Sequence, residues 1–306
     1  MILCCGEALI DMLPRQLEDG EGVFLPVPGG AVFNTAIALG RLGENAGFFS
    51  SLSTDMFGDQ LVSALEASSV DASLCLRKPL PTTLAFVKLT DGQAEYSFFD
   101  ENSAGRNLEG ADLPNLPDEV RALHFGAISL IPEPCGGAYE KLMERNQDKL
   151  LSLDPNIRPG FITDPTAHWQ RISRMAQMAD IIKVSDEDLE WIADGQSAES
   201  VIDEWLKGSV SVVLLTKGKD GVSVFSGSSQ FDMPAPTVEV VDTIGAGDTF
   251  NAGMLAGLRE NKLLIKAALA EADEQKLRPA VELALKVAAI TCSRPGANPP
   301  WRIELT

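Results

Sequence analysis

The segment VVDTIGAGDTFNAG, residues 240 to 253, sets three small residues, Gly245, Ala246 and Gly247, directly before a carboxylate, Asp248. If the β-branched run ahead of them is a strand and a helix runs from Thr249 onward, the N–H groups of 245–247 lie unshielded at a helix N-terminus. Donors and dipole together hold an anion such as phosphate there. Asp248 then stands where the anion would rest, and its repulsion needs a compensating role. One role is that of general base. In phosphoryl transfer the transition state is loose, the protein mainly positions and stabilises charge, and an aspartate accepts the proton of the attacking hydroxyl. The other reading is an acidic residue that favours a helix start by about 0.3–1 kcal/mol. Residue types and spacing alone leave both open.

Competing phosphate motifs fail on spacing. A Walker A loop needs G-x-x-x-x-G-K-[ST], which this chain lacks. A dinucleotide fingerprint needs a small residue where Phe250 stands, because the helix must pack closely on its strand. A nicotinamide oxidoreductase is thereby weakened as a reading.

The elements that must carry these residues show a regular rhythm. Ile2 to Gly6 reads as a strand and residues 29–43, GGAVFNTAIALGRLG, as a glycine turn into a helix. AGFFSSL, RALHFG, KLLSLD, DIIKVS and SVVLLT read as strands, and DQLVSALEASS, AYEKLMERN and HWQRISRMAQMA as helices. Strands separated by helices predict a parallel sheet with right-handed crossovers. Residues 11–30 and 82–105 carry no helical period; the second region shows two strand patterns around the turn Asp91-Gly92. Both read as antiparallel pieces outside the main sheet. They are either ordinary surface hairpins or a small flap that closes over a pocket and excludes water from phosphoryl transfer.

Composition narrows the function classes. A chain of 306 residues with 45% hydrophobic content can bury a full α/β core. A net charge of −19 without a basic cluster argues against a nucleic-acid partner. An anionic substrate remains open if backbone amides, a metal and one or two basic side chains neutralise it locally. Five cysteines, Cys4, Cys5, Cys75, Cys135 and Cys292, include no C-x-x-C pair, which suits reduced thiols and a cytoplasmic protein. The apolar start MILCCGEALIDML meets Glu7 and Asp11 early and reads as a buried strand, not a signal peptide, and no apolar run reaches the about 18 residues of a membrane helix. His124 and His168 lie in apolar or amphipathic surroundings and read as structural.

Taken in order, GGAVFNTAIALGRLG, DPNIR (154–158), TKGKDG (216–221) and DTIGAGDTFNAGML (242–255) resemble the motif set of the ribokinase-like, PfkB-type carbohydrate kinases, over essentially the whole chain. Within that family CCGEALIDMLP, YSFFDENSAGR and SRPGANPPW are most similar to bacterial fructokinases. The resemblance implies an α/β fold: a three-layer α/β/α ribokinase-like domain over residues 1–306, with a mostly parallel central sheet and a small β-strand lid from about 12–28 and 82–105. It implies ATP and Mg2+, transfer of the γ-phosphoryl to the terminal hydroxymethyl of D-fructose to give fructose 6-phosphate, and no membrane partner. A homodimer through the lid is compatible with it.

Residue by residue, the resemblance casts Asp248 as the base and the amides of Gly245, Ala246 and Gly247 as the anion hole. Asp11, Gly29, Gly30 and Asn34 match sugar-binding positions: Asp accepts from hydroxyls, Asn donates and accepts, and glycines let the ring approach the backbone. A loop before a helix and a first-turn cap are the plain alternatives for Gly29-Gly30 and Asn34. Phe98 could wall the sugar or simply pack its strand. Arg158 follows a strand end and faces the phosphates or pairs with Asp154. Thr216, Gly218 and Gly221 match the nucleotide loop; a tight turn between strands has the same pattern. Where the family often carries N-x-x-E for Mg2+ through water, this chain has Ser185, Asp186, Glu187 and Asp188, which leaves Asp188 and Glu187 as rival metal ligands and Ser185 beside the nucleotide. Loops holding Asp242, Ile244, Thr291, Arg294 and Gly296 match those that give carbonyl oxygens to K+. A kinase for ribose or 2-keto-3-deoxygluconate and a non-catalytic sugar-binding regulator stay open as alternatives.

Overall fold

Near-continuous apolar strands suit a parallel sheet, which is covered on both faces. The computed structural model describes residues 1–90 and 93–305. Its main sheet has nine strands in the order Gln230–Met233, Val222–Ser226, Val212–Thr216, Ile181–Ser185, Leu150–Asp154, Ala122–Gly126, Ile2–Cys5, Ala46–Phe49 and Val70–Asp71. Neighbours from Val212–Thr216 to Val70–Asp71 all pair parallel; at the other edge Val222–Ser226 runs antiparallel to both of its neighbours. The ends at Cys5, Gly126, Asp154, Ser185 and Thr216 therefore emerge along one edge, where open α/β sheets bind ligands.

Two apolar cores flank the sheet, making three layers. One holds Phe33 and Leu39 of helix Ala31–Arg41, Met254 and Leu258 of helix Ala246–Glu260, and Val281 of helix Glu274–Cys292. The other holds Leu142, Ile172, Leu189 and Val201 from the four helices Cys135–Arg145, Pro165–Ala176, Asp186–Ala193 and Ala198–Lys207. Helix Ala246–Glu260 is seated by close backbone approach: a Cβ on Gly253 would come 2.6 Å from Ala284 Cα, and one on Gly257 2.5 Å from Ala280 Cα. Larger residues there would push the helix, and its N-terminus, off the sheet edge.

Three expectations change. The run ahead of Gly245 is not a strand. Residues 234–242 are irregular, with Val240 and Val241 exposed and the amides of Val241 and Asp242 donating to the Cys292 carbonyl. β-Branched residues fit a half-buried pleat, but this run joins no sheet, and its Val241 and Asp242 amides are spent on the end of helix Glu274–Cys292 instead. The helix also starts at Ala246, three residues earlier than Thr249, after Gly245 takes φ +77° as its N-cap. AGFFSSL divides into Ala46–Phe49 in the main sheet and Ser51–Ser53, which pairs with Leu76–Lys78.

The two regions without helical period form one four-stranded sheet, in the order Gly22–Gly29, Leu9–Gln16, Leu84–Thr90, Gln93–Phe99. Its outer pairs are antiparallel as expected, but Ile10–Met12 joins Leu84–Phe86 in parallel, so the pieces are continuous and not two separate hairpins. The Asp91-Gly92 turn lies outside the described residues. Phe24, Phe86 and Phe99 meet edge to face across this sheet, centroids 5.0 and 5.3 Å apart.

Candidate active site

Two cavities open at the strand-end edge and share the first turn of helix Ala246–Glu260. The first, about 300 Å³, gathers Asp11, Gly30, Asn34, Phe98, Arg158 and Asp248. The second, about 420 Å³, gathers Thr216, Gly218 and Gly221 with the apolar side chains of Phe250, Leu285 and Ala289. Thr243, Ala246 and Gly247 line both. A larger cavity, about 860 Å³, is an open groove against Trp169 and Trp191 that contains Asp186 but none of the candidate site residues.

At the shared wall the Ala246 amide is spent on the Thr243 carbonyl, 3.2 Å away, and the Gly245 carbonyl accepts from the Thr249 amide. Among the described residues no protein acceptor meets the amides of Gly245, Gly247 or Asp248. The open donor set is therefore Gly245, Gly247 and Asp248, with Asp248 in the place expected for Ala246. Asp248 is buried, and Asn34 Nδ2 donates to its Oδ2 at 2.9 Å while the Thr35 hydroxyl donates to its main-chain oxygen at 3.1 Å. Burial raises its pKa to about 6, against the pull of the Asn34 hydrogen bond; the Asp154 charge raises it further and Lys183 and Arg158 lower it. A carboxylate tuned there, held by an amide and next to open N–H donors, can take a proton from a hydroxyl and is mostly ionised at neutral pH.

Asp11 is raised to about 7 by burial and by the negative charge of Asp248. Gly29 does not line the cavity; it makes room for Asp11, because a Cβ there would fall 2.1 Å from Asp11 Oδ2. Gly30 takes φ +109°, which an L side chain rarely adopts. Phe98 packs edge-on against Phe161 at 4.8 Å. Arg158 makes no ion pair among the described residues; the partner once open to it, Asp154, is bonded to Lys183 at 3.0 Å and Asn251 at 2.7 Å.

Of the remaining motif residues Ile244 lines the first cavity, and the others stand outside both. Ser185 Oγ accepts from the Asp188 amide and caps its helix. Asp188 is buried, accepts from the Ile157 amide at 2.9 Å, and has its pKa raised by burial and then by Asp154. Glu187, one residue and about 100° round the helix, is exposed to solvent, which separates the two metal candidates. Asp242 ties two loops together, accepting from the Ile244 amide at 3.0 Å and the Gly296 amide at 2.9 Å. Thr291 is fully buried, and the Arg294 side chain turns to Glu304.

Sequence reasoning missed four groups. Glu7 and Asn156 line the first cavity and Lys219 the second. Lys183 is 3% exposed beneath the helix start, and its Nζ would be 3.0 Å from a Cβ on Gly247. Burial lowers its pKa, but Asp154 and Asp188 outweigh that and raise it, so it stays charged. Its signal was legible: a lysine inside the apolar strand IIKVS needs a buried counter-charge.

Two cavities that meet at the helix turn carrying an open Gly247 amide, with the open Gly245 and Asp248 amides beside it, suit the passage of an anionic group from a ligand in one to a ligand in the other, the work of a phosphotransferase. The chain belongs to the pfkB family of carbohydrate kinases, whose model matches residues 1–304. It is 53% identical over 279 residues to a fructokinase of Rhizobium leguminosarum bv. trifolii, covering 91% of this chain and 86% of that one. The fold matches a fructokinase of Xylella fastidiosa solved with ATP bound, at TM-score 0.91 and 29% identity, over 99% of this chain and 97% of that one. It also matches a fructokinase of Vibrio cholerae solved with fructose, ADP and calcium, at TM-score 0.83 and 26% identity over 97% and 94% of the chains. A double mutant of the same Vibrio protein was solved with fructose, ADP and potassium, at TM-score 0.83 and 25% identity over 97% and 93%.

Proposed function

We propose that this chain transfers the γ-phosphoryl of ATP to the terminal hydroxymethyl of D-fructose, giving fructose 6-phosphate. The observation that carries the reading is Asp248, buried, held by Asn34, and lining the first cavity next to the helix turn that the second cavity shares. In this reading the first cavity takes the sugar and the second the nucleotide. Asp248 accepts the hydroxyl proton while the Gly245, Gly247 and Asp248 amides, with Arg158, stabilise charge on the transferred group. Asp11, Asn34 and the Gly30 backbone orient the sugar, with Phe98 as its apolar wall. Thr216, Gly218 and Gly221 border the nucleotide.

The chain works as one kinase domain, and the four-stranded sheet serves as the lid. The ladder of Phe24, Phe86 and Phe99, with Phe24 and Phe99 exposed, is the face through which two copies would pair. A cytoplasmic location goes with the reading and is supported by five free thiols; among the described residues no helix is long and apolar enough to cross a membrane.

Mg2+ fits the acids behind the helix start. Asp154 Oδ1 is buried without a hydrogen-bond partner, and Asp188 lies close enough to feel its charge. These two, and not Glu187, would hold the ion through water, where it would neutralise phosphate charge. For K+, the Asp242 carboxylate already brings the 242–244 and 291–296 loops together, so that their carbonyls could converge. The Vibrio protein solved with potassium supports that assignment.

The test is kcat/KM for fructose, ribose, tagatose, glucose and 2-keto-3-deoxygluconate with ATP and Mg2+, run in K+ and again in tetramethylammonium at equal ionic strength. Fructose should lead in K+ and weaken in tetramethylammonium. Another sugar ahead by about tenfold, or about 1.4 kcal/mol of transition-state binding, overturns fructose and leaves the kinase standing. Equal kinetics in both salts removes the K+ site.

A further inference from the structure

Helix Ala31–Arg41 begins without a cap of its own. Its N-cap is Gly30, which has no side chain, and its first turn holds no acidic residue. The short helix Ala127–Leu130 begins the same way after Gly126. Both starts border the sugar cavity, through Gly30 and Asn34 on one side and Ala127 and Ile128 on the other. Their orphan N–H groups still need acceptors.

Glu7, 8% exposed and two residues beyond the first strand, supplies them from a distance in sequence. Its Oε1 accepts from the Val32 amide at 3.3 Å and its Oε2 from the Ser129 amide at 3.3 Å. The backbone of Gly30 rests on the same residue, since a Cβ on Gly30 would come 2.9 Å from the Glu7 carbonyl oxygen. The first helix then passes its position onward: Asn34 and Thr35, one turn in, hold the carboxylate and the main-chain oxygen of Asp248. A carboxylate is the side chain suited to this post, being an acceptor at both oxygens, whereas an amide accepts at one and turns N–H against N–H at the other.

We propose that Glu7 is a positioning residue for sugar binding: its single carboxylate caps two helices at once, fixing two walls of the sugar cavity and, through Asn34, the aim of Asp248. This rests on the assignment of that cavity to the sugar. The nucleotide cavity has no contact with Glu7, so the effect of removing the double cap falls on one substrate only.

The test uses full-length Glu7→Gln, which keeps shape and loses one of the two acceptors, Glu7→Ala, which loses both, and Asp11→Asn as a reference for the cavity. KM is measured separately for ATP and for the sugar that leads the panel. In Glu7→Gln the sugar KM should rise about tenfold and kcat fall severalfold, with ATP KM within about twofold of wild type, because small misplacements of a bound hydroxyl cost rate and binding together. Glu7→Ala should exceed it. A sugar KM in Glu7→Gln within about twofold of wild type, or an ATP KM that rises in proportion, overturns the proposal. If Asp11→Asn raises the sugar KM and the Glu7 variants do not, only the role of Glu7 fails. If Asp11→Asn is also silent, the cavity assignment fails with it.

Discussion

The two cavities share the backbone of Ala246 and Gly247 yet are made of opposite materials. In the first, which we propose takes the sugar, stand Glu7, Asp11 and Asp248, whose pKa values burial raises to about 7, 7 and 6. In the second, which we propose takes the nucleotide, the wall contains no carboxylate among the described residues; it is glycine backbone, Phe250, Leu285, Ala288 and Ala289, with Lys219 as its charged residue. A polyol is known by the directions of its hydroxyls, so its site needs aimed acceptors, and these must be buried and charged at some cost. A large planar base is known by area and shape, so its site needs a slot that repels nothing. Selectivity on the two sides should therefore break in different ways.

The largest break is expected at the boundary. Asp248→Asn should lower kcat by at least about 10²-fold, the lower end of general-base contributions, while the sugar KM changes little. Asn keeps the size of the side chain and can still meet Asn34, so packing is preserved and proton acceptance is lost. Steady-state kinetics on the purified variant decide it, and turnover near wild type would remove Asp248 as the base.

A smaller and one-sided break is expected in the apolar slot. Ala289, 9% exposed on helix Glu274–Cys292, lines the second cavity and not the first. Ala289→Phe fills part of that space and should raise the ATP KM by about tenfold while the sugar KM stays within about twofold. Equal effects on both substrates would mean that the cavities are not energetically separate.

The same contrast explains what could be read from the sequence. Glycines beside an aspartate at a helix start are chemically conspicuous, so Asp248 was legible locally; Asp11, Asn34 and Arg158 became so only through the order of family motifs. Glu7 was visible as an early acid in an apolar segment, but nothing local indicated that its partners are Val32 and Ser129, 25 and 122 residues away. Leu285, Ala288 and Ala289 were not legible at all. Small apolar residues at helical spacing look alike whether they face a core or a slot, and only the packing of helix Glu274–Cys292 tells them apart. The strand expected ahead of Gly245 fails for a related reason: propensity states what a segment could pair with, and here the Val241 and Asp242 amides go to the Cys292 carbonyl at a helix end. In the four-stranded sheet the strand alternation was readable, whereas the parallel join of Ile10 to Leu84 spans 74 positions and leaves no local trace.

The smallest expected effect concerns stability and pH, and it should appear on the sugar side alone. Asp11 makes no hydrogen bond among the described residues; burial and the charge of Asp248 oppose its ionised form, moving its pKa from 3.8 to about 7. A folded-state pKa above the unfolded value means that the folded protein binds the proton more tightly. Stability from this group is present below about pH 4 and is lost as pH rises through about 7. Above that window the folded protein carries a charge it would be more stable without, which is the cost of keeping an acceptor ready for the sugar. Asp11→Asn removes that charge and no hydrogen bond. Without ligands it should melt about 1–3 °C above wild type at pH 8, a small shift because a chain of this size unfolds with a large entropy. At pH 4, where wild-type Asp11 is already protonated, the two melting temperatures should coincide. Ala289→Phe, which changes no titrating group, should leave the pH slope unaltered. Thermal melts of the three proteins across pH 4 to 8 measure this directly. An Asp11→Asn difference that fails to grow with pH would mean the carboxylate is solvated after all, and the contrast between a charged and an uncharged cavity would lose its energetic basis.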